Sequence, residues 1–300
     1  MNPGDIRVLA AGEVLWDLIR GQEHIGGAPF NVAAHLAKLG CGSSILTRVG
    51  ADVRGDASRR EMRRLGVDDS LVQVDPARET GWARVDLDAQ GVASYTFAEE
   101  PAYDFIEADD ALLGALAARP PDAVCFGTLA QRGTVTRGAL MRLLDAIRPR
   151  EIFYDVNIRR DFYPADVLRA SLARSTIVKI NADEAPLVGA RLTGTALPED
   201  GLAARLASEF GVRVLLVTKG PDGCAVHAGG RRTDIRGERV TVADTVGAGD
   251  AFSAAFLAHH LRTGDPVGAA RRGNRLGAYV ASKPGAVPDY DAAILTAIRE

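Results

Sequence analysis

Apolar positions fall into two patterns along this chain. Short continuous runs occur at residues 6–12, 44–49, 123–126, 152–156, 176–180 and 212–217, and longer stretches with helical spacing lie between them. Runs of this kind read as strands buried on both faces, and repeated β–α alternation predicts a parallel sheet covered by helices on both sides. A helix is expected over residues 29–39, where Pro29 suits the first turn and Gly40 the residue just past the end. Another is expected over 55–65, closed by Gly66. From Asp109 onward, helices are expected before the 123–126 strand, up to Ile147, near 167–173, and through to Phe210.

Two stretches depart from this rhythm. Residues 81–88 and 92–97 alternate apolar and polar side chains around Asp88-Ala-Gln-Gly91, which predicts a hairpin with one wet face. Residues 13–19 continue the first strand with polar interruptions, and part of 13–25 is expected to join the hairpin. The expectation is therefore one domain over residues 1–300, with a small β-sheet built from about 13–25 and 80–105. Such a sheet suits a lid or a dimerisation surface, and the two roles are compatible. Asp17 alternates with Trp16 and Leu18, so its spacing also fits a solvent-facing strand residue.

Polar residues collect where the strands end: Asn157 and Arg159, then Asn181 and Glu184, then Thr218, Lys219 and Gly220. Ligands of open α/β sheets bind outside the carboxyl ends of the strands. The richest stretch is Thr-Val-Ala-Asp-Thr-Val-Gly-Ala-Gly-Asp at 241–250, which runs into an Ala- and Phe-rich helix. Gly247, Ala248 and Gly249 bring bare backbone to a helix N-terminus, where free N–H groups and the dipole favour an anion such as a phosphoryl group. Asp250, at the mouth of this cradle, can accept a proton from an attacking hydroxyl. The alternative is a tight turn with Asp250 as helix cap. Phe252 stands where a dinucleotide loop has its third glycine, and the Gly-x4-Gly-Lys-Ser/Thr pattern is absent. Gly26 and Gly27 similarly expose backbone ahead of the 29–39 helix, and Asn31 can turn its amide to a ligand or to loop carbonyls.

Composition narrows the class. Lys plus Arg number 36 against 39 Asp plus Glu, a formal charge of −3, with no basic run to attract nucleic acid or an anionic membrane. The three cysteines, Cys41, Cys125 and Cys224, are scattered and support neither a disulfide framework nor a zinc site. No signal-peptide pattern precedes Ile6 and no apolar run reaches membrane-spanning length, so a soluble, reducing, cytoplasmic setting is expected.

Four stretches in order, Gly26-Gly-Ala-Pro-Phe-Asn through Gly40, Asn181-Ala-Asp-Glu184, Val217-Thr-Lys-Gly-Pro-Asp-Gly223 and Asp244-Thr-Val-Gly-Ala-Gly-Asp-Ala-Phe252, resemble the motifs of the PfkB family of ribokinase-like sugar kinases. The resemblance spans essentially the whole chain. It implies an α/β fold, a three-layer α/β/α sandwich with a mainly parallel central sheet and a small β-sheet lid. It also implies ATP-dependent transfer of the γ-phosphoryl group to a sugar hydroxyl, with Asp250 as base and the backbone of 246–249 as anion hole. Asn181 and Glu184 would hold Mg²⁺ through waters, and Thr218, Lys219, Gly220, Gly223 and Asn274 match nucleotide-pocket positions. Lys219 is either a charge facing a phosphate or a solvated turn lysine. Asp17, Gly26, Gly27 and Asn31 would bind sugar hydroxyls, with Arg159 reaching the same pocket. The resemblance leaves room for K⁺ beside Asp244, although Val246 and Asp289 stand where hydroxyl residues are expected. As a helix N-terminal residue, Asp250 is expected to keep a low pKa.

Relatives acting on 2-keto-3-deoxygluconate carry an arginine near Ala98, whereas Glu99 and Glu100 follow it here and would repel an acid. With the wording Gly-Ala-Pro-Phe-Asn and Glu-Pro-Ala-Tyr-Asp-Phe, this points to a fructokinase-type member acting on fructose, with ribose as nearest rival. A 2-keto-3-deoxygluconate kinase is a further alternative, and a non-catalytic sugar or nucleotide sensor the alternative from another class. The expected partners are sugar, ATP and a second copy of the chain through the lid sheet.

Overall fold

The computed structural model describes residues 6–19, 21–87 and 93–299; the turn expected at 88–91 lies outside the described residues. The strands are β1 (Arg7–Ala11), β2 (Leu15–Ile19), β3 (Gln22–Gly26), β4 (Gly42–Gly50), β5 (Val72–Asp75), β6 (Gly81–Leu87), β7 (Ala93–Phe97), β8 (Ala123–Gly127), β9 (Glu151–Asp155), β10 (Ile177–Asn181), β11 (Val214–Thr218), β12 (Cys224–Ala228) and β13 (Arg231–Ile235). The helices are α1 (Ala28–Lys38), α2 (Val53–Arg64), α3 (Asp110–Ala118), α4 (Thr134–Ala146), α5 (Ala165–Leu172), α6 (Glu184–Thr193), α7 (Glu199–Phe210), α8 (Ala248–Thr263), α9 (Pro266–Ala281) and α10 (Ala292–Arg299).

A nine-stranded sheet runs in the order β13-β12-β11-β10-β9-β8-β1-β4-β5. It is parallel from β11 to β5 and antiparallel only where β12 and β13 close one edge. Strand alternation sends Val8, Cys125, Phe153, Ile177 and Leu216 toward α1, α8 and α9. Their neighbours Leu9, Val124, Tyr154, Val178 and Leu215 face α3 to α7. Both faces are thus dry, which is why the strands read as continuous apolar runs.

Three local features depart from the sequence expectation. The first strand does not continue through residue 13, because the chain turns at Gly12 (φ 143°); β2 and β3 instead join β6 and β7 in the four-stranded sheet β3-β2-β6-β7, the small sheet that part of 13–25 was expected to share with the hairpin. The helical stretch up to Phe210 is two helices, because Gly194 adopts the left-handed conformation and ends α6. The β12–β13 hairpin was not expected, although Gly229 and Gly230, at φ 57° and 72°, form the two-residue connection that suits strand twist.

The small sheet is fastened to the large one by side chains. Leu15, Ala83 and Phe97 pack on Tyr103, Leu129, Ala130 and Phe162. Asp52 caps α2 through the Gly55 N–H, and the same carboxylate accepts from the Thr80 N–H and hydroxyl, each at 2.7 Å, just ahead of β6. Beyond β7, Arg132 pairs with Asp104 at 3.0 Å, donates to the Ala98 carbonyl at 2.7 Å, and lies between the rings of Tyr103 and Phe162. Asp104 is buried and the Arg132 side chain is only 10% exposed, so removing the guanidinium strands the carboxylate in low dielectric. Arg132→Ala is therefore expected to cost about 3 kcal/mol of unfolding free energy. Urea titration checks this, and a midpoint equal to the parent protein's contradicts the assigned role.

Candidate active site

The carboxyl ends of β1, β9 and β10, the underside of the small sheet and the start of α8 surround a cavity of about 550 Å³. Asp17, Gly27, Asn31 and Arg159 line it, with Thr245, Val246, Gly247, Gly249 and Asp250 from the turn, whereas Ala248 does not. The two glycine-rich stretches meet inside it: Asn31 Nδ2 donates to Asp250 Oδ2 at 2.8 Å across 219 residues of sequence. On spacing, Asp17 also fitted a solvent-facing position. In the structure, β2 turns Leu15, Asp17 and Ile19 to the cavity and Trp16 to Ser58 on α2.

Close backbone approach explains two of the glycines. Gly27 has φ 106°, and a Cβ there would lie 2.5 Å from the Glu13 carbonyl oxygen. Gly247 has φ 78°, and a Cβ would meet the Ala286 carbonyl at 2.4 Å. Only glycine combines that dihedral with that clearance. Gly26 lies against the carboxylate of Asp17. Glu99 and Glu100 line an adjacent cavity of about 790 Å³, which shares Phe97 and Arg160 with the first. Any repulsion they exert on an acidic acceptor therefore comes from that neighbouring cavity.

Asn181 and Glu184 bind each other's backbone: the Glu184 N–H donates to Asn181 Oδ1 at 2.8 Å, and the Asn181 N–H to Glu184 Oε2 at 2.9 Å. This reciprocal cap starts α6. Glu184 Oε1 accepts from the Ile158 N–H at 2.6 Å, which ties the loop after β9 to the end of β10. In that loop Asn157 and Arg160 hold positive φ, at 42° and 48°. Each oxygen of Glu184 already takes one N–H and keeps a lone pair. The set therefore fits a hydrated Mg²⁺ held through water, since Mg²⁺ retains much of its hydration shell. Asp244 spans the Val246 and Gly285 N–H groups at 3.0 and 3.2 Å. The nucleotide candidates gather at the far end of the sheet. Thr218 ends β11, Gly220 and Gly223 shape the following turn, and Asn274 donates to the Arg236 carbonyl at 3.3 Å. Lys219 is held by Glu199 at 3.1 Å and Asp234 at 3.4 Å.

Residues 6–293 match the family model described as pfkB family carbohydrate kinase. The chain belongs to the pfkB family of carbohydrate kinases. Among its relatives is a fructokinase of Escherichia coli, 32% identical over 247 residues, covering 80% of this chain and 78% of the relative. An uncharacterized sugar kinase from Pyrococcus horikoshii, solved in complex with ATP, superposes with a TM-score of 0.80 at 26% identity, covering 93% of this chain and 94% of that one. The fructokinase of Vibrio cholerae O395, solved with fructose, ADP and calcium ion, shares the fold with a TM-score of 0.83 at 24% identity, over 98% and 99% of the two chains.

Charge in this carbohydrate kinase is arranged around Asp250. Burial, reinforced by nearby Asp155, raises its pKa to about 6, against the Asn31 hydrogen bond, Lys179 and Arg159. The expectation of a low value is overturned, because desolvation and a second carboxylate outweigh the helix terminus. Burial also raises Glu13 to about 7 and Asp17 to about 6, each opposed by Arg159. Glu13 Oε2 and Asn31 Oδ1 are buried without partners. Glu13, Asp155 and Lys179 were missing from the sequence-derived site. Lysine inside Thr-Ile-Val-Lys-Ile and aspartate closing Ile-Phe-Tyr-Asp are charges in buried strands, and that is the signal that could have found two of them.

Because Asp250 binds its proton more tightly folded than at its ordinary value of 3.8, its ionisation costs stability as pH rises through the window from about 4 to 6. Asp250→Asn is therefore expected to stabilise the protein by up to about 3 kcal/mol near pH 8, with the gain vanishing below about pH 4. Thermal melts at several pH values measure this. A gain independent of pH would contradict the burial argument.

Proposed function

We propose that this kinase transfers the γ-phosphoryl group of ATP to a primary hydroxyl of a neutral sugar, fructose first. The observation that carries the reading is the Asn31–Asp250 hydrogen bond, which brings the acceptor-side and anion-side motifs into one cavity with Asp17. Kinship with a fructokinase points to the same acceptor. In this reading Asp17, Asn31 and the backbone at Gly26 and Gly27 take the sugar hydroxyls, and Arg159 closes the pocket. The N–H groups of 247–249 receive the phosphoryl oxygens at the positive end of α8. Asp250 takes the hydroxyl proton, and its raised pKa brings it nearer to a useful base at neutral pH. Thr218, Gly220, Gly223 and Asn274 form the nucleotide side. Asn181 and Glu184 would hold Mg²⁺ through water, and when bound it would supply charge neutralisation to the phosphates. K⁺ beside Asp244 belongs to the same proposal.

Residues 1–300 work here as one unit, with the small sheet as a lid that excludes water from the cavity. Pairing of two copies through that sheet completes the reading, and sedimentation at micromolar concentration tests it. A sugar acid is the second acceptor class, favoured by Arg159 and Arg160 on the cavity and by the position of Glu99 and Glu100 outside it.

A coupled ADP-release assay across neutral sugars, sugar acids and nucleosides decides among acceptors, with fructose expected to give the highest kcat/KM. Asp250→Asn is expected to lower kcat by about 10³-fold while sugar affinity is kept. Undiminished turnover in that variant rules out Asp250 as the base.

A further inference from the structure

Directly under the 247–250 turn lies a charged group that the sequence motifs do not contain. Lys179 Nζ donates to both oxygens of Asp155, at 2.9 and 2.8 Å. The Ser253 hydroxyl, one turn into α8, lies 3.2 Å from Asp155 Oδ2. All three residues are buried, Lys179 at 6% exposure, Asp155 at 3% and Ser253 at 0%. A Cβ built on Gly249 would meet nothing but this ammonium, at 3.5 Å. Lys179 lines the cavity together with Gly249 and Asp250. An ammonium has three N–H groups, and Asp155 accounts for two.

Stability does not explain this placement. A buried ion pair recovers its desolvation cost at best, and well-packed apolar side chains often do as well. A cation beside the N-terminus of α8 also faces the positive end of the helix dipole.

Resting on the kinase reading above, we propose that Lys179 is a positioning residue of the transfer: held by Asp155, whose carboxylate also meets the Ser253 hydroxyl, its ammonium sets positive charge beneath the turn that receives the phosphoryl group and beside the carboxylate of Asp250. In the transfer, the acceptor hydroxyl oxygen bonds to the γ-phosphorus as the bond from that phosphorus to the ADP oxygen breaks. The hydroxyl proton passes to Asp250, and the electron pair of the broken bond leaves with ADP. Lys179 keeps its proton throughout and offsets the negative charge spreading over the phosphoryl oxygens. The groups facing Asp250 are Asn31 from α1, Glu13 after β1, the Cys125 thiol from β8, Asp155 from β9, Arg159 after β9 and Lys179 from β10. Lys179 and Asp155 act on it with opposite sign.

That opposition supplies the test, made on the full-length protein with the best acceptor from the panel. Lys179→Met is expected to lower kcat about 100-fold with sugar affinity kept, and to move the acid limb of kcat/KM to higher pH. Asp155→Asn is expected to move that limb to lower pH. The double variant Lys179→Met/Asp155→Asn removes both buried charges, so it is expected to fold as stably as the parent while kcat stays about 100-fold down. Limbs that move together or not at all, or a double variant with parental kcat, overturn the proposal. A parent protein that phosphorylates no acceptor overturns the kinase reading and this one together; an active parent with unaffected variants overturns only this one.

Discussion

One hydrogen bond between two helix starts organises this molecule. Asn31 sits on the first turn of α1 and Asp250 on the first turn of α8, and the amide of one donates to the carboxylate of the other at 2.8 Å. The contact exists because the two helices pack side by side on one face of the large sheet, through Val32 and Leu36 with Ala251, Phe252 and Ala255. Apolar burial, about 25 cal/mol per Å², holds the helices in place, and the polar contact is set within that frame. Glycines at 27 and 247 are what allow the flanking loops to come close enough.

Electrostatics follow from the same packing. Burying α8 takes Asp250 out of water in the company of Asp155 and Glu13, which alone would drive Asp250 and Glu13 toward the neutral form. Lys179 from below and Arg159 from the cavity side oppose that shift. The result is an acid poised closer to neutrality than an exposed aspartate, beside buried charges on Glu13, Asp155 and Lys179 that water screens weakly. Phosphoryl transfer asks mainly for positioning and charge stabilisation, and a rigid sheet end with helix termini aimed at it supplies both.

The small sheet owes its place to a different set of contacts. Its inner face carries Leu15, Asp17 and Ile19 to the cavity, while Asp52 and Arg132 anchor the segments on either side of β6 and β7. A one-residue slip of β2 would exchange Asp17 for Trp16 on that face. The register with His24 on β3 and Ala83 on β6 therefore matters as much as the carboxylate itself.

Much of this was legible in the residues. Continuous apolar runs announced the parallel sheet because both of its faces are dry, and the Pro29 and Gly40 signals bracketed α1 because backbone geometry at helix ends is a local matter. Glycine-rich stretches pointed to the cavity because missing side chains mark close backbone approach. What sequence could not decide was everything that depends on which strands become neighbours. The position of Glu99 and Glu100 in the adjacent cavity, the capture of Lys219 by Glu199 and Asp234, and the Lys179–Asp155 pair all arise from residues far apart in the chain. The raised pKa of Asp250 belongs with them, since desolvation and a neighbouring carboxylate exist only once the sheet and α8 have closed over it.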